Sequence, residues 1–127
     1  MKILLDTSIL LGIGLFGTSA HPKLYEAILA AETLMVSPIA RVEIGIKVSI
    51  GKLALPTDEK RFWSELVKRL QATELPYSCA HAALLASLPL HHRDPFDRML
   101  VSQCLVEDLY IATSDAIFVD YGVKTLS

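Results

Sequence analysis

The sequence predicts a three-layer α/β/α domain built on a mostly parallel central sheet of four or five strands. Three observations carry that expectation. Short apolar runs recur at residues 2–5, 34–36 and 109–112, each too continuous for a strand with one wet face. Each run stops abruptly at a turn of Asp, Thr, Ser or Pro. Longer stretches with helical periodicity lie between them, and strands alternating with helices imply parallel pairing through crossover connections.

The elements follow in order. The run ending at Leu5 meets Asp6-Thr7-Ser8, an acidic turn suited to capping a helix that continues through Ile9, Leu10 and Leu11. Residues 22–31 read as a helix with Pro22 in its first turn and Leu24, Ile28 and Ala31 on one face. Leu34-Met35-Val36 is a second strand, stopped by Ser37-Pro38. A helix from Ile39 presents Ile39, Val42, Ile46 and Ile50 as its apolar stripe, and Gly51 ends it. Leu55 to Asp58 form a turn and N-cap for a helix reaching Leu70, striped by Phe62, Leu66 and Leu70. Ser78 opens a short Ala- and Leu-rich helix that Pro89 terminates. After the polar loop His91-His92-Arg93-Asp94, Pro95 starts a helix through Glu107. Leu109 to Ala112 is a third strand, Ala116 to Asp120 a brief helix, and Val123 to Leu126 a last strand.

The 127 residues suit one domain, spanning 1–127, with no linker, repeat or low-complexity segment. Hydrophobic residues make up 52% and charged residues 20%, enough for a dense core. Mean hydropathy is positive, yet no apolar run approaches the roughly 18–20 residues that span a bilayer. Asp6 interrupts the opening run in a way that a signal peptide would not, so a cytoplasmic protein with no membrane association is expected. Cys79 and Cys104 lack metal-site spacing and are expected as two small buried hydrophobes. The net charge of −2 offers no global basic field for nucleic acid. A carboxylate site, however, lowers that total, and Arg41, Lys47, Lys52, Arg93 and Arg98 are available to line an approach.

Asp6 and Asp115 share a setting: each follows a short apolar strand, in a Thr/Ser turn before a helix. In a parallel sheet both emerge at strand carboxyl ends, where open α/β folds bind ligands. Carboxylates gathered there repel unless a cation neutralises them, and Mg²⁺ or Mn²⁺ prefers such oxygen donors. Glu43 lies in a mostly apolar helix and needs a partner, either a metal or Lys47 one turn on. Asp97 sits in the first turn of its helix, where an ordinary dipole-favoured acid is equally in keeping with the pattern. Asp94, before Pro95, reads as a helix cap.

Leu4-Leu5-Asp6-Thr7-Ser8, Ser37-Pro38 with Glu43 and Gly51-Lys52-Leu53, His91-His92-Arg93-Asp94-Pro95-Phe96-Asp97-Arg98 and Thr113-Ser114-Asp115 together resemble a PIN domain, in order and over essentially the whole chain. Within that family the closest likeness is to the VapC-type toxins of bacterial toxin–antitoxin pairs. The resemblance implies a metal-dependent ribonuclease whose acidic set is Asp6, Glu43, Asp97 and Asp115, holding Mg²⁺ or Mn²⁺. It gives Ser8 a supporting contact and Arg98 an orienting salt bridge with a site acid. Many relatives carry His at the position of Ser8 and Ser near that of Ala40, departures that leave the acidic set intact. The implied partners are an RNA substrate, a cognate antitoxin protein and a second copy of the chain, with helices around Leu24–Ala31 and Val42–Leu53 as candidate dimer surfaces. The competing readings are a PIN-like interaction module, a PIN nuclease that is not a toxin, and a haloacid-dehalogenase-type phosphatase. The last wants a second Asp two residues after the first, where this chain has Ser8.

Overall fold

A computed structural model describes residues 1–127. Strands β1 (Lys2–Leu5), β2 (Thr33–Val36), β3 (Thr73–Glu74), β4 (Tyr110–Ala112) and β5 (Thr125–Leu126) form one sheet. All pairings are parallel, in the order β3-β2-β1-β4-β5. The connections carry helices α1 (Thr7–Phe16), α2 (Pro22–Leu29), α3 (Pro38–Ser49), α4 (Glu59–Leu70), α5 (Cys79–Leu85), α6 (Pro95–Glu107) and α7 (Ile117–Asp120).

The side-chain alternation of β1 explains the three layers. Ile3 and Leu5 point into a core shared with α1 to α4, while Leu4 points into a second core with Leu100, Val101 and Cys104 of α6 and Phe118 of α7. Both faces of the strand are dry from Ile3 to Leu5, which is why those residues are apolar without a break, and only Lys2 at its start is exposed. The order also fixes where a ligand can sit. From the central β1 the chain winds outward through β2 to β3, and β4 then pairs on the other side of β1. The crevice at the carboxyl ends of β1 and β4 is therefore the topological switch point.

The elements named from sequence are present, with instructive differences. The edge strand β3 was not foreseen: at two residues, Thr73 and Glu74, both exposed, it lacks any hydrophobic signal. Helix α2 ends at Leu29, so Ala31 lies outside it, and α5 ends at Leu85, before Pro89. Cys104 is buried as expected, but Cys79 is exposed in the first turn of α5.

Of the stripe expected on α3, only Ile39 packs against a core, the second one, and the rest faces outward. Ala40 and Ile44 are buried against the sheet, with Val48 packed beside them, whereas Val42, Ile46 and Ile50 are 49%, 43% and 58% exposed. Both sets follow the same i, i+4, i+8 spacing, on opposite sides of the helix. Helical periodicity finds a stripe but cannot choose between two. No helix is long and apolar enough to cross a membrane.

Candidate active site

Asp6 follows the last residue of β1, and its amide donates to the Ala112 carbonyl (3.0 Å), carrying the β1–β4 pairing one step past the strand. It occupies the N-cap position of α1, but its carboxylate makes no cap hydrogen bond. The side chain turns across the crevice instead. Its Oδ2 accepts from Thr113 Oγ1 at 2.7 Å and from Ser8 Oγ at 3.4 Å. The sequence-based expectation of a capping acid is thus corrected: Asp6 holds the cap position while its carboxylate serves the crevice. Asp115 stands beyond β4, where its amide donates to Thr113 Oγ1 (3.0 Å) and its Oδ1 caps α7 through the Ile117 amide (3.0 Å).

Ser37 starts α3 by accepting from the Ile39 amide (3.0 Å), and the resulting helix phase turns Glu43 toward the crevice. Glu43 is 7% exposed; its Oε2 accepts from Lys47 Nζ at 2.9 Å and its Oε1 has no partner. Asp94 Oδ1 caps α6 through the amides of Phe96 and Asp97 (2.9 and 3.3 Å), as its sequence position predicted. Asp97, one turn in, accepts from His92 Nε2 at 2.8 Å.

Asp6, Glu43, Asp97 and Asp115 therefore line one cleft of about 430 Å³, joined there by Asp94, Thr7, Ser8 and Lys47. Five carboxylates face a single ammonium. Burial pushes the Asp6 carboxyl above its ordinary range, helped by the charges of Glu43 and Asp115 and opposed by the Thr113 hydrogen bond. Burial likewise raises Asp97 to about 6, with Asp6, Asp94 and Glu43 adding to the rise and the His92 hydrogen bond opposing it.

The donor set suits a hard divalent cation: carboxylate and hydroxyl oxygens, with no thiolate near. Two of the four buried polar atoms that lack any partner, Glu43 Oε1 and Thr7 Oγ1, belong to residues lining this cleft. Unsatisfied buried acceptors are costly, and their concentration here marks a place where a further ligand is accommodated. Donor atoms of His92, Asp94 and Asp97 also lie within 4.8 Å of one another, close enough to share one ion.

Two residues stand differently from their sequence-based roles. Arg98 pairs with no acid. Its guanidinium donates to the carbonyls of Pro89 (3.1 Å), Leu85 and Leu88 (3.4 Å each) and to Tyr121 Oη (3.4 Å). This fork ties the end of α5 and the segment that follows it to α6. The acid-orienting part belongs to His92, whose amide donates to Tyr121 Oη at 2.9 Å while its ring holds Asp97. Sequence reasoning also missed Thr113, although its place at the end of β4, level with Asp6, was the signal that identified Asp115.

The family model described as "PIN domain" matches residues 3–124. The chain belongs to the PIN domain family. Solved structures with the same fold include VapBC2 from Rickettsia felis bound to a promoter DNA fragment, at 16% identity and a TM-score of 0.75, covering 99% of this chain and 98% of that one. DNA-bound VapBC from Salmonella typhimurium is similar at 14% identity and a TM-score of 0.71, covering 99% and 97%. FitAcB from Neisseria gonorrhoeae is similar at 22% identity and a TM-score of 0.69, covering 99% and 97%. No curated protein sequence matches this chain. The PIN fold thus accounts for the sheet order and for the crevice at which the acids meet.

Proposed function

We propose that this PIN domain is an Mg²⁺- or Mn²⁺-dependent endoribonuclease and the toxin of a toxin–antitoxin pair, acting in the cytoplasm. The observation that carries the reading is the convergence of Asp6, Glu43, Asp97 and Asp115 on one cleft that retains an unpartnered Glu43 oxygen. Those four side chains would hold the ion. When bound, it supplies an activated water and neutralises charge on the scissile phosphate.

The remaining work falls to the chain's own groups. Thr113 fixes the Asp6 carboxylate by donating to Oδ2, and Ser8 supports it from the same side. His92 fixes Asp97 in the same manner and is itself held by Tyr121. Such outer hydrogen bonds set the direction of a ligand's lone pairs. One carboxylate of the set, Asp97 or Asp115, would orient or deprotonate the attacking water. In-line displacement then needs no covalent enzyme intermediate, and Ser8 is a support rather than a nucleophile.

The VapC-type likeness of the sequence motifs, with VapBC and FitAB structures among those of the same fold, supports a cognate antitoxin protein as partner. The exposed Val42, Ile46 and Ile50 row on α3 supports a second copy of the chain as a further partner. Solution mass measured over a range of concentrations tests the homodimer.

The purified protein is expected to cleave RNA with Mg²⁺ or Mn²⁺, to stop in EDTA, and to lose cleavage in Asp6→Asn with the fold intact by circular dichroism. Metal-independent cleavage, or undiminished cleavage by Asp6→Asn, refutes the reading. Calorimetry showing no metal binding favours an interaction module instead.

A further inference from the structure

Lys47 is the only cation lining a cleft of five carboxylates, and no step above uses it. Its ammonium lies 2.9 Å from Glu43 Oε2, in an i, i+4 pair on α3. The partners differ in freedom. The Lys47 side chain is 44% exposed, that of Glu43 10%, so the acid is fixed and the ammonium stands at the rim on a flexible stem. The pair is also incomplete, since Glu43 Oε1 faces no donor at all. A buried carboxylate with one oxygen satisfied is tolerated in the fold yet retains capacity for a stronger cation. The ammonium also feels Asp94 and Asp97, so its charge acts on three of the five carboxylates.

We propose that Lys47 is the built-in counter-cation of the metal-free cleft: it gives up Glu43 when that carboxylate takes a divalent ion, and the released ammonium then binds a phosphate of the RNA substrate. The first half rests on the divalent-ion site proposed above and the second on RNA as the substrate, and absence of Mn²⁺ binding by the wild type overturns the exchange. The first half makes Lys47 a positioning residue for Glu43 and a competitor that sets how much metal is needed to load the site. The second half follows from charge. A cleft of acids repels a polyanion, and Lys47 is the one lining residue able to attract it.

The test is calorimetric titration of the whole protein with Mn²⁺ in the absence of RNA. Lys47→Met is expected to tighten Mn²⁺ binding by about five-fold, the worth of one partly exposed ion pair, while Lys47→Arg stays within about two-fold of wild type. The effect must act through Glu43, so in a Glu43→Gln background Lys47→Met should change the affinity little. Unchanged or weaker binding by Lys47→Met overturns the exchange, as does the same tightening in the Glu43→Gln background. Should Lys47→Met prove unstable without metal, its thermal midpoint with saturating Mn²⁺ must recover to that of wild type, and failure to recover also overturns the exchange. At saturating Mn²⁺, Lys47→Met is expected to raise KM for RNA several-fold, with a shallower salt dependence and little change in kcat. An unchanged KM overturns the phosphate contact. If the wild type cleaves no RNA, the nuclease reading fails while the Mn²⁺ titrations still decide the exchange.

Discussion

Replacing Asp97 by Asn should stabilise the metal-free protein at neutral pH. Asp97 is 17% exposed at its side chain and shares its cleft with Asp6, Asp94 and Glu43, so its folded carboxyl holds a proton up to about pH 6, against an ordinary value of 3.8. The folded state therefore binds this proton more tightly than the unfolded chain. Stability from this group is present in full below about pH 4, falls as pH rises toward 6, and stays low above. A two-unit difference corresponds to about 3 kcal/mol at most, and relaxation of the cleft reduces it toward about 1 kcal/mol. Asparagine keeps the shape and can still accept from His92, but carries no charge. Thermal melts in EDTA at pH 7.5 should show Asp97→Asn melting higher than wild type by at least ~3 °C, the two converging near pH 4. Millimolar Mg²⁺ should reverse the order by stabilising only the wild type, by about 2.7 kcal/mol at a hundred times the dissociation constant. A metal-free mutant no more stable than wild type at pH 7.5 would show that the acids are not held against their own repulsion.

Two further changes test other parts of the structure. Thr113→Val removes the donor 2.7 Å from Asp6 Oδ2 at nearly constant volume; Mn²⁺ affinity should fall by about ten-fold in calorimetry with the far-ultraviolet spectrum unchanged. Gly14→Ala places a methyl 2.5 Å from Phe62 Cζ, in the packing of α1 against α4, and should cost about 1–3 kcal/mol in urea denaturation without altering metal affinity.

How much of this was legible in the sequence depended on the range of the signal. Strand β1 announces itself because both its faces are buried, and Asp6 and Asp115 because each interrupts such a strand. Asp94 was readable as a cap because the Asp-Pro start of a helix is local. The dry face of α3 was not, since Ala40-Ile44-Val48 and Val42-Ile46-Ile50 share one spacing and only the sheet distinguishes them. Arg98, His92 and Thr113 depend on partners distant in the fold. The guanidinium could be seen to want acceptors, but those it found are backbone carbonyls of Leu85, Leu88 and Pro89, which no side-chain pattern reveals. Glu43 fell between these cases: the sequence offered Lys47 or a metal, and the structure pairs it with Lys47 while leaving one oxygen unpartnered.

The same geometry that costs stability creates the binding capacity. Because β2 and β4 flank β1 on opposite sides, the chain leaves the crevice in two directions and no connection covers it. Acids arriving from α1, α3, α6 and the turn after β4 then meet in a space that is partly dry but open. Burial raises the proton affinity of Asp6 and Asp97; hydrogen bonds from Thr113 and the Thr7 amide oppose the rise at Asp6, and the His92 ring opposes it at Asp97. A hydroxyl or amide donor, as at Asp6, orients the carboxylate without cancelling its charge. Lys47 offsets the charge of the cleft from a rim position on a flexible stem. Were an arginine fork to clamp Asp6 or Asp97 bidentately, the fold would gain stability and lose its free lone pairs. Arg98, next to Asp97 in α6, instead makes four hydrogen bonds, three to the carbonyls of Leu85, Leu88 and Pro89 and one to Tyr121 Oη. The arginine ion pairs of the fold are Arg41–Glu59 and Arg61–Glu65, so no guanidinium neutralises the four acids.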